Sequence, residues 1–357
     1  MTQTLRVACI PGDGVGPEVV PEAQRALEAA AGAHGGLAFD FVELEWGCDL
    51  YRRTGALMPA DGLARLADFD SILFGAVGAP DVPDHRSLWG LLIPIRRGFE
   101  QYVNVRPVKL LPGVRTPLRD RDEADIDFVV VRENSEGEYS DLGGRVHAGT
   151  QAEAAIQVDY FSRRGCERAM RFAFALAARE GRGEVACATK SNGIVHSMPF
   201  WDDVFREVGR AHPDTRHRLV LADALAAYVV TQPDTLDVVV ASNLMGDLIS
   251  EVGAAVMGGI GIAPAANLNP ERSHPSMFEP VHGSAPDIAG RNLANPVGEI
   301  WSAKLLLDFH GYDELGTLVL DAIGESLRAG IATPDLGGGA TTREVGDAIA
   351  RRILDRA

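Results

Sequence analysis

The sequence predicts an α/β fold with a largely parallel central sheet. Short apolar runs alternate along the whole chain with segments of helical periodicity, the pattern of strands joined by crossover helices. The chain has 357 residues, 46% of them hydrophobic, which is more than one average domain needs. Two domains around a shared cleft are therefore expected.

The elements follow from local pattern. A helix is predicted over residues 17–31 because Pro17 suits a first helical turn, and another over 297–310, ended by Gly311. Residues 143–150 have weak helical signals and are expected to form a protruding arm. Strands are predicted at residues 6–10, 37–44, 71–74, 128–131, 185–189 and 237–241.

Composition excludes several classes of function. The net charge of -16 disfavours nucleic acid and anionic membrane surfaces as partners. No signal peptide or membrane-spanning stretch is recognisable, so a cytoplasmic location is expected. The cysteines are scattered without a C-x-x-C pair, and buried free thiols are expected. They are Cys9, Cys48, Cys166 and Cys187.

The stretch IPGDGVGPEVV, residues 10–20, places a glycine turn between a strand and a helix. Its glycines are spaced G-x-G-x-G, whereas the dinucleotide fingerprint is G-x-G-x-x-G. From these residues alone, a tight structural turn and a ligand-facing turn both remain open.

Polar residues follow directly on three predicted strands. Residues 128–131 continue into RENSEGEY, 185–189 into KSN, and 237–242 into NLMGD. In open α/β sheets the ligand crevice lies at the carboxyl ends of the strands. These segments are therefore expected to line one cleft.

The residue types in these segments suit a small diacid substrate and a hard metal ion. Guanidinium groups bind carboxylates bidentately, and carboxylates bind Mg²⁺ or Mn²⁺. Surface salt bridges, an exposed acidic helix face, a snorkelling lysine and a core tyrosine are the structural alternatives. The candidates are Arg96, Arg97, Arg106 and Arg132 for carboxylates, Asp223, Asp247 and Glu251 for metal, and Lys190 and Tyr139 for proton transfer.

The segment HGSAPDIAG, residues 282–290, combines small residues with Asp287. Small residues let a ligand approach the backbone, and a carboxylate can accept both hydroxyls of an adenosine ribose. Taken alone, the segment also fits a plain glycine- and proline-rich loop.

Together, these motifs resemble the β-decarboxylating dehydrogenases, which include isopropylmalate, isocitrate and tartrate/D-malate dehydrogenases. The resemblance covers nearly the whole chain. It is carried, in the family's order, by IPGDGVGPE, FGAVG, IRRGFEQYVNVRP, VVRENSEGEY, ATKSNG, SNLMGDLIS, FEPVHGSAPDIAG and TPDLGG.

The resemblance implies an isopropylmalate dehydrogenase-like two-domain fold, not a Rossmann fold. One domain would comprise residues 1–101 and 257–357, and the other 102–256. It implies NAD rather than NADP, with Mg²⁺ or Mn²⁺, and leaves room for a monovalent cation. The implied cofactor-binding residues are Gly75, His282, Gly283, Ser284, Ala285, Asp287, Ile288 and Asn295.

The resemblance also implies a homodimer with shared active sites, in which Lys190 and Asp223 come from the second subunit. Lys190 would be the base and Tyr139 the acid. Substrate would be held by Arg96, Arg106, Arg132, Trp89 and Asn192, and metal by Asp223, Asp247 and Glu251. Glu251 stands where the family usually has aspartate.

The stretch VPDHRSLWGLLIPIRR, residues 82–97, most resembles the tartrate/D-malate subgroup. Trp89 replaces the acidic residue usual in isopropylmalate enzymes, and its indole is expected to share a helix face with Arg96 and to restrict the C3 substituent. Gly90 replaces the serine of isocitrate enzymes. The alternatives are 3-isopropylmalate dehydrogenase, a specialised 3-substituted malate dehydrogenase, and a catalytically silent relative that binds NAD or a diacid.

Overall fold

The computed structural model describes residues 2–356, which divide into two compact units. Unit 1 comprises Met1–Gln101, Arg106–Ile126 and Ala254–Ala357, and unit 2 comprises Tyr102–Val105 and Asp127–Gly253. Residues 106–126 thus join the chain ends rather than the central segment. The packing accounts for this, because a Cβ on Gly113 would lie 2.7 Å from Arg328 Cα and one on Gly324 would lie 3.1 Å from Pro112.

Unit 1 is built on five strands in the order β2-β1-β3-β12-β11. β1 pairs in parallel with β2 and β3, β12 pairs in parallel with β3, and β11 runs antiparallel to β12. The strands are β1 (Gln3–Gly12), β2 (Leu37–Glu43), β3 (Ser71–Ala76), β11 (Pro264–Leu268) and β12 (Ser276–Pro280). β4 (Val103–Lys109) has residues in both units.

Unit 2 contains the strand order β5-β10-β8-β9, and its three pairings are all parallel. These strands are β5 (Asp127–Glu133), β8 (Glu184–Thr189), β9 (Arg216–Leu221) and β10 (Val238–Ala241). A separate antiparallel ribbon joins β6 (Gly143–Val146) to β7 (Ala154–Gln157), and all eight of its residues are exposed. This ribbon occupies the position of the expected arm.

The helices complete both units. In unit 1 they are α1 (Gly16–His34), α2 (Cys48–Thr54), α3 (Gly62–Leu66), α4 (Asp84–Ser87), α5 (Ile93–Gly98), α10 (Val297–Phe309), α11 (Asp313–Arg328) and α12 (Thr342–Asp355). In unit 2 they are α6 (Arg163–Glu180), α7 (Ser197–Arg210) and α8 (Ala222–Thr231), and α9 (Asn243–Val256) begins in unit 2 and has its last three residues in unit 1. Each of the six predicted strands overlaps an observed one.

The helix ends follow the predicted residue types. α1 has Pro17 in its first turn and ends at His34, and the capping residue Gly35 has a φ of 70° that lets its N–H bond to the Ala31 carbonyl. It therefore extends three residues beyond the predicted end at residue 31. α10 matches its predicted range to one residue.

The four cysteines are free and buried, as predicted. Burial raises the pKa of Cys9, Cys48 and Cys166 to about 12, because a buried thiolate loses its hydration. Within residues 2–356, no helix is both long and apolar enough to cross a bilayer.

A π-helical segment, Leu88–Leu92, connects α4 to α5. Its wider turn is closed by the bond from Ile93 N–H to the Leu88 carbonyl, five residues back. The chain stays helical through this segment. Because the π turn contains one extra residue, each side chain after it takes the angular position that the preceding residue would have in a regular α-helix.

Candidate active site

In unit 2, Arg132 at the end of β5 is held by the first turns of α9. Its Nε and one terminal nitrogen donate to Asn243 Oδ1 at 3.1 and 2.7 Å, and its other terminal nitrogen pairs with Asp247. Arg132 is 2% exposed. The expected meeting of strand ends is therefore observed for the segments that follow β5 and β10.

Tyr139 joins the same cluster. Its hydroxyl donates to Asp247 Oδ2 at 3.1 Å, and the Arg132 guanidinium carbon lies 5.5 Å from its ring centroid. Asp247 thus contacts a cation and a phenol at once, while 29% of its side chain stays exposed. The Tyr139 hydroxyl, which can donate a proton, thus lies beside the Asp247 carboxylate. The Arg132 guanidinium, a group that can bind carboxylates, lies against the Tyr139 ring.

Three glutamates of the RENSEGEY loop support the cluster, and sequence analysis missed their role. Glu133 accepts the Ser135 hydroxyl at 2.6 Å, Glu136 accepts the Ser162 hydroxyl, and Glu138 accepts the Leu244 N–H at the start of α9 at 3.0 Å. Burial raises the pKa of Glu133 to about 6 despite these bonds. No spacing signal distinguishes them from other acidic loop residues.

Lys190 and Asp223 form a second pair in unit 2. Lys190 follows directly on β8, and Asp223 lies in the first turn of α8. Lys190 Nζ donates to Asp223 Oδ2 at 2.8 Å. This bond lowers the pKa of Asp223. Asn192 lies nearby in sequence and is exposed.

The acids predicted to bind metal are only partly assembled within one chain. Asp247 and Glu251 lie one turn apart on α9, as predicted, and offer the hard oxygen donors that Mg²⁺ and Mn²⁺ prefer. Among residues 2–356, however, no three His, Cys, Asp or Glu side chains are grouped so that they could hold an ion. Asp223 instead bonds Lys190, and the expectation that a second subunit supplies these two residues stays a prediction.

In unit 1, the glycine turn packs directly on the 282–290 loop. Val15 N–H donates to the Ser284 carbonyl at 2.9 Å, and a Cβ on Gly14 would collide with that carbonyl. Glu18 accepts the N–H groups of Gly290 and Asn292 at 2.6 and 2.7 Å. β1 lies between β2 and β3, so the chain passes to one side of β1 for the next strand and to the other side for the one after it. The turn that follows β1 therefore lies at a topological switch point, where open sheets bind ligands.

Buried Asp13 fixes the glycine turn from within, which sequence analysis did not foresee. Its carboxylate accepts Cys48 N–H at 2.8 Å and Gly78 N–H at 2.9 Å. Gly75 serves the same packing, because a Cβ there would lie 2.8 Å from Gly16 Cα. A packing requirement therefore explains the glycine at position 75 without a ligand.

The predicted cofactor loop has features that fit a ligand. His282 Nε2 is buried and lacks a hydrogen-bond partner within the described residues, while Nδ1 lies 3.0 Å from the Gly283 carbonyl oxygen. Burial lowers the pKa of His282, which favours a neutral ring that can donate or accept. Asp287 is exposed, and Ala285 has a φ of 39°, a conformation uncommon outside glycine.

Asn295, assigned to the cofactor, is engaged within the protein. Its amide donates to Asp335 Oδ2 at 3.0 Å, and its Oδ1 accepts Val297 N–H at 3.0 Å. Ile288 packs with Val15 and Val19 in a small apolar cluster. Both residues thus also shape the loop.

The arginines predicted to bind substrate are buried, including Arg96 and Arg106 in unit 1. Arg96 donates to Glu279 Oε1 at 2.6 Å. The expectation that Trp89 shares a face with Arg96 is wrong, because the Trp89 ring instead lies 4.9 Å from the Arg97 guanidinium carbon. The π turn contains one extra residue. Arg97, eight residues after Trp89, therefore lies on the helix face that Arg96 would occupy in a regular α-helix.

Sequence and structural comparisons agree on the relationship. The family model described as isocitrate/isopropylmalate dehydrogenase matches residues 6–349. The chain belongs to this family. The family assignment confirms the resemblance carried by the eight motifs, and the parallel strands of both units agree with the predicted fold class.

Individual relatives refine the comparison. The chain is 52% identical to the D-malate dehydrogenase [decarboxylating] of Escherichia coli strain K12 over 361 residues, covering 99% of this chain and 100% of that protein. It is also 52% identical to the tartrate dehydrogenase/decarboxylase of Pseudomonas putida over 355 residues, covering 97% of each. The crystal structure of isocitrate dehydrogenase from Methylococcus capsulatus matches with a TM-score of 0.87 at 30% identity, covering 98% of this chain and 99% of that one.

Proposed function

We propose that the chain catalyses the NAD- and divalent-metal-dependent oxidative decarboxylation, or oxidation, of a small 2-hydroxy diacid, D-malate or tartrate. The observation that carries this proposal is the cluster in which Arg132 and Tyr139 meet at Asp247. It combines a carboxylate-binding fork, a proton donor and a hard metal ligand. Full-length similarity to enzymes named for D-malate and tartrate supports this choice of substrate class.

The residues of the chain would share the work of binding and proton transfer. Arg96, Arg106 and Arg132 hold the two carboxylates of the substrate. When bound, NAD⁺ supplies the hydride acceptor, and Mg²⁺ or Mn²⁺, held by Asp223, Asp247 and Glu251, supplies a Lewis acid.

Proton movement completes the reaction. Lys190 would accept the proton of the C2 hydroxyl as C2 is oxidised. Breaking the bond from C3 to the adjacent carboxylate releases CO₂ and leaves its electron pair on the enolate. Tyr139 then donates its hydroxyl proton to C3.

NAD would be preferred over NADP because Asp287 presents an exposed carboxylate in the 282–290 loop. A carboxylate accepts both ribose hydroxyls but repels a 2′-phosphate. His282 Nε2, buried without a partner among residues 2–356, gains one from a polar ligand atom.

A homodimer with shared active sites is part of the proposal. Unit 2 exposes several large apolar side chains in its ribbon, its loops and α9, and such surfaces commonly mark protein interfaces. Examples are Leu142, Ile156, Val195 and Leu248, which are 50%, 55%, 64% and 58% exposed. A cytoplasmic location is proposed because the four buried thiols are free.

The proposal is tested by measuring NADH formation with D-malate, the tartrate stereoisomers, isocitrate and 3-isopropylmalate. Each substrate is assayed with Mn²⁺, with Mg²⁺ and with a chelator, and with NAD or NADP. Turnover of D-malate or tartrate that requires metal and prefers NAD is expected. Equal kcat/KM for 3-isopropylmalate would contradict the substrate class, and metal binding without any turnover would indicate a silent relative.

A further inference from the structure

Arg96, proposed above to bind a substrate carboxylate, has a built-in counter-ion. Glu279 on β12 accepts from Arg96 at 2.6 Å, and each side chain of the pair is only 7% exposed. A charge buried this deeply needs a partner with fixed geometry, because solvent cannot compensate it.

Glu279 is itself held rigidly. Its Oε1 also accepts the Asn267 amide at 2.7 Å, from the neighbouring strand β11. Asn267 is fully buried, and its Nδ2 also lies 3.4 Å from the Met277 carbonyl. The carboxylate therefore belongs to a strand pair and not to a mobile loop.

The backbone that follows Arg96 is anchored to the same region of unit 1. Gln101 N–H donates to the Arg96 carbonyl at 2.8 Å, and the Gln101 side chain donates to the Pro275 carbonyl at 2.8 Å. Asn269 donates to the Glu100 carbonyl at 3.3 Å. Arg96 is thus fixed at its main chain and at one terminal nitrogen.

One donor of Arg96 is left without an acceptor. Nε is buried and lacks a hydrogen-bond partner within residues 2–356. An unmet donor in a buried guanidinium is costly, and a carboxylate oxygen of a ligand would satisfy it.

We infer that Glu279 is a positioning residue that holds Arg96 ready for one carboxylate of the diacid. The inference rests on the proposed function. Because the Glu279 carboxylate neutralises the Arg96 charge, Arg96 contributes mainly hydrogen-bond donors of fixed orientation. Its net electrostatic attraction for the substrate carboxylate is small. Loss of the Glu279 side chain then weakens binding even though it unmasks a positive charge.

Two variants separate orientation from charge. Glu279→Gln keeps an oxygen acceptor for Arg96 and Asn267 but removes the charge, whereas Glu279→Ala removes both. Calorimetry of D-malate binding and steady-state kinetics are expected to show Kd and KM at least tenfold higher for Glu279→Ala, with kcat changed less than threefold. Glu279→Gln is expected to bind D-malate at least as tightly as the wild type.

Glu184→Gln is the matched control, because Glu184 pairs with Arg218 at 2.7 Å in unit 2, away from the proposed site residues. It should leave Kd and KM unchanged. NAD affinity, measured by fluorescence, should be unchanged in all three variants.

The inference is overturned if both Glu279 variants shift the D-malate Kd equally and in the same direction, since charge alone would then be acting. Unchanged Kd values, or a parallel loss of NAD affinity, would also overturn it. Wild-type protein that binds D-malate without turnover would refute the proposed function alone, because the Kd comparison still tests Glu279. Wild-type protein that binds no diacid refutes both.

Discussion

Glu299, in the first turn of α10, makes the stability of the fold depend on pH. The residue has no exposed surface, and both carboxyl oxygens lack a hydrogen-bond partner among the described residues. Burial raises the pKa of Glu299 well above its usual 4.5, and the nearby Glu279 charge raises it further. The folded protein therefore favours the neutral form of this carboxyl more than the unfolded chain does.

The sign of the effect follows from the two states of the chain. Below the unfolded-state pKa, the carboxyl is protonated in both states and carries no penalty. As the pH rises towards the raised folded-state pKa, only the unfolded chain releases its proton, so stability is lost. The loss is about 1.4 kcal/mol for each pH unit between the two pKa values.

Glu299→Gln should remove this dependence, because glutamine resembles the neutral acid in size and cannot ionise. We expect the free energy of unfolding of the variant to exceed that of the wild type by an amount that grows as the pH rises. The gap should widen by about 1.4 kcal/mol for each pH unit between the unfolded-state pKa and the raised folded-state pKa. Urea unfolding followed by circular dichroism at several pH values measures it.

Glu45→Gln provides the control, because the Glu45 side chain is 81% exposed and should leave the pH profile unchanged. Parallel stability profiles for the wild type and Glu299→Gln would refute the reasoning. Such a result would mean that Glu299 ionises in the folded protein with an ordinary pKa.

Three further outcomes are expected at the proposed site. Lys190→Ala and Asp247→Asn should each lower kcat for D-malate at least a thousandfold without unfolding the protein, and near-parental kcat at saturating metal would contradict the assigned role. Because the Trp89 indole lies against Arg97 and not on the face of Arg96, Trp89→Ala should change the ratio of kcat/KM for 3-isopropylmalate over D-malate by less than about threefold; a tenfold rise in competition kinetics would instead place the indole beside C3. Gly90→Ser should gain no isocitrate activity and should lose about 1–3 kcal/mol of stability in thermal unfolding, because a Cβ there collides with Leu57; unaltered stability would contradict this packing.

The fold class followed from sequence because strand runs and glycine or proline signals act locally. The turn at Gly35 and the first turn at Pro17 need only neighbouring residues to form. β11 and β12 were missed because their residues, including Asn267 and Glu279, mix polar groups into short buried strands. Their burial depends on partners distant in sequence.

The site was predictable in its residue types but less so in its geometry. The i, i+4 spacing placed Asp247 and Glu251 correctly on one helix. The contact between Tyr139 and Asp247 joins residues 108 positions apart, so no spacing could reveal it. The role of Asp13 could not be predicted for the same reason, because the N–H groups that it accepts come from two other segments of unit 1.

The π turn at 88–92 assigns two adjacent arginines to different neighbours. Arg96 pairs with Glu279, while Arg97 lies against Trp89. Deleting one residue from this turn would restore a regular α-helix and rotate the preceding segment by about 100° relative to the arginines. An insertion or deletion in this turn therefore changes which side chains lie on one face of the helix, although the arginines themselves are retained. Relatives that differ here should be compared by helical phase as well as by residue identity.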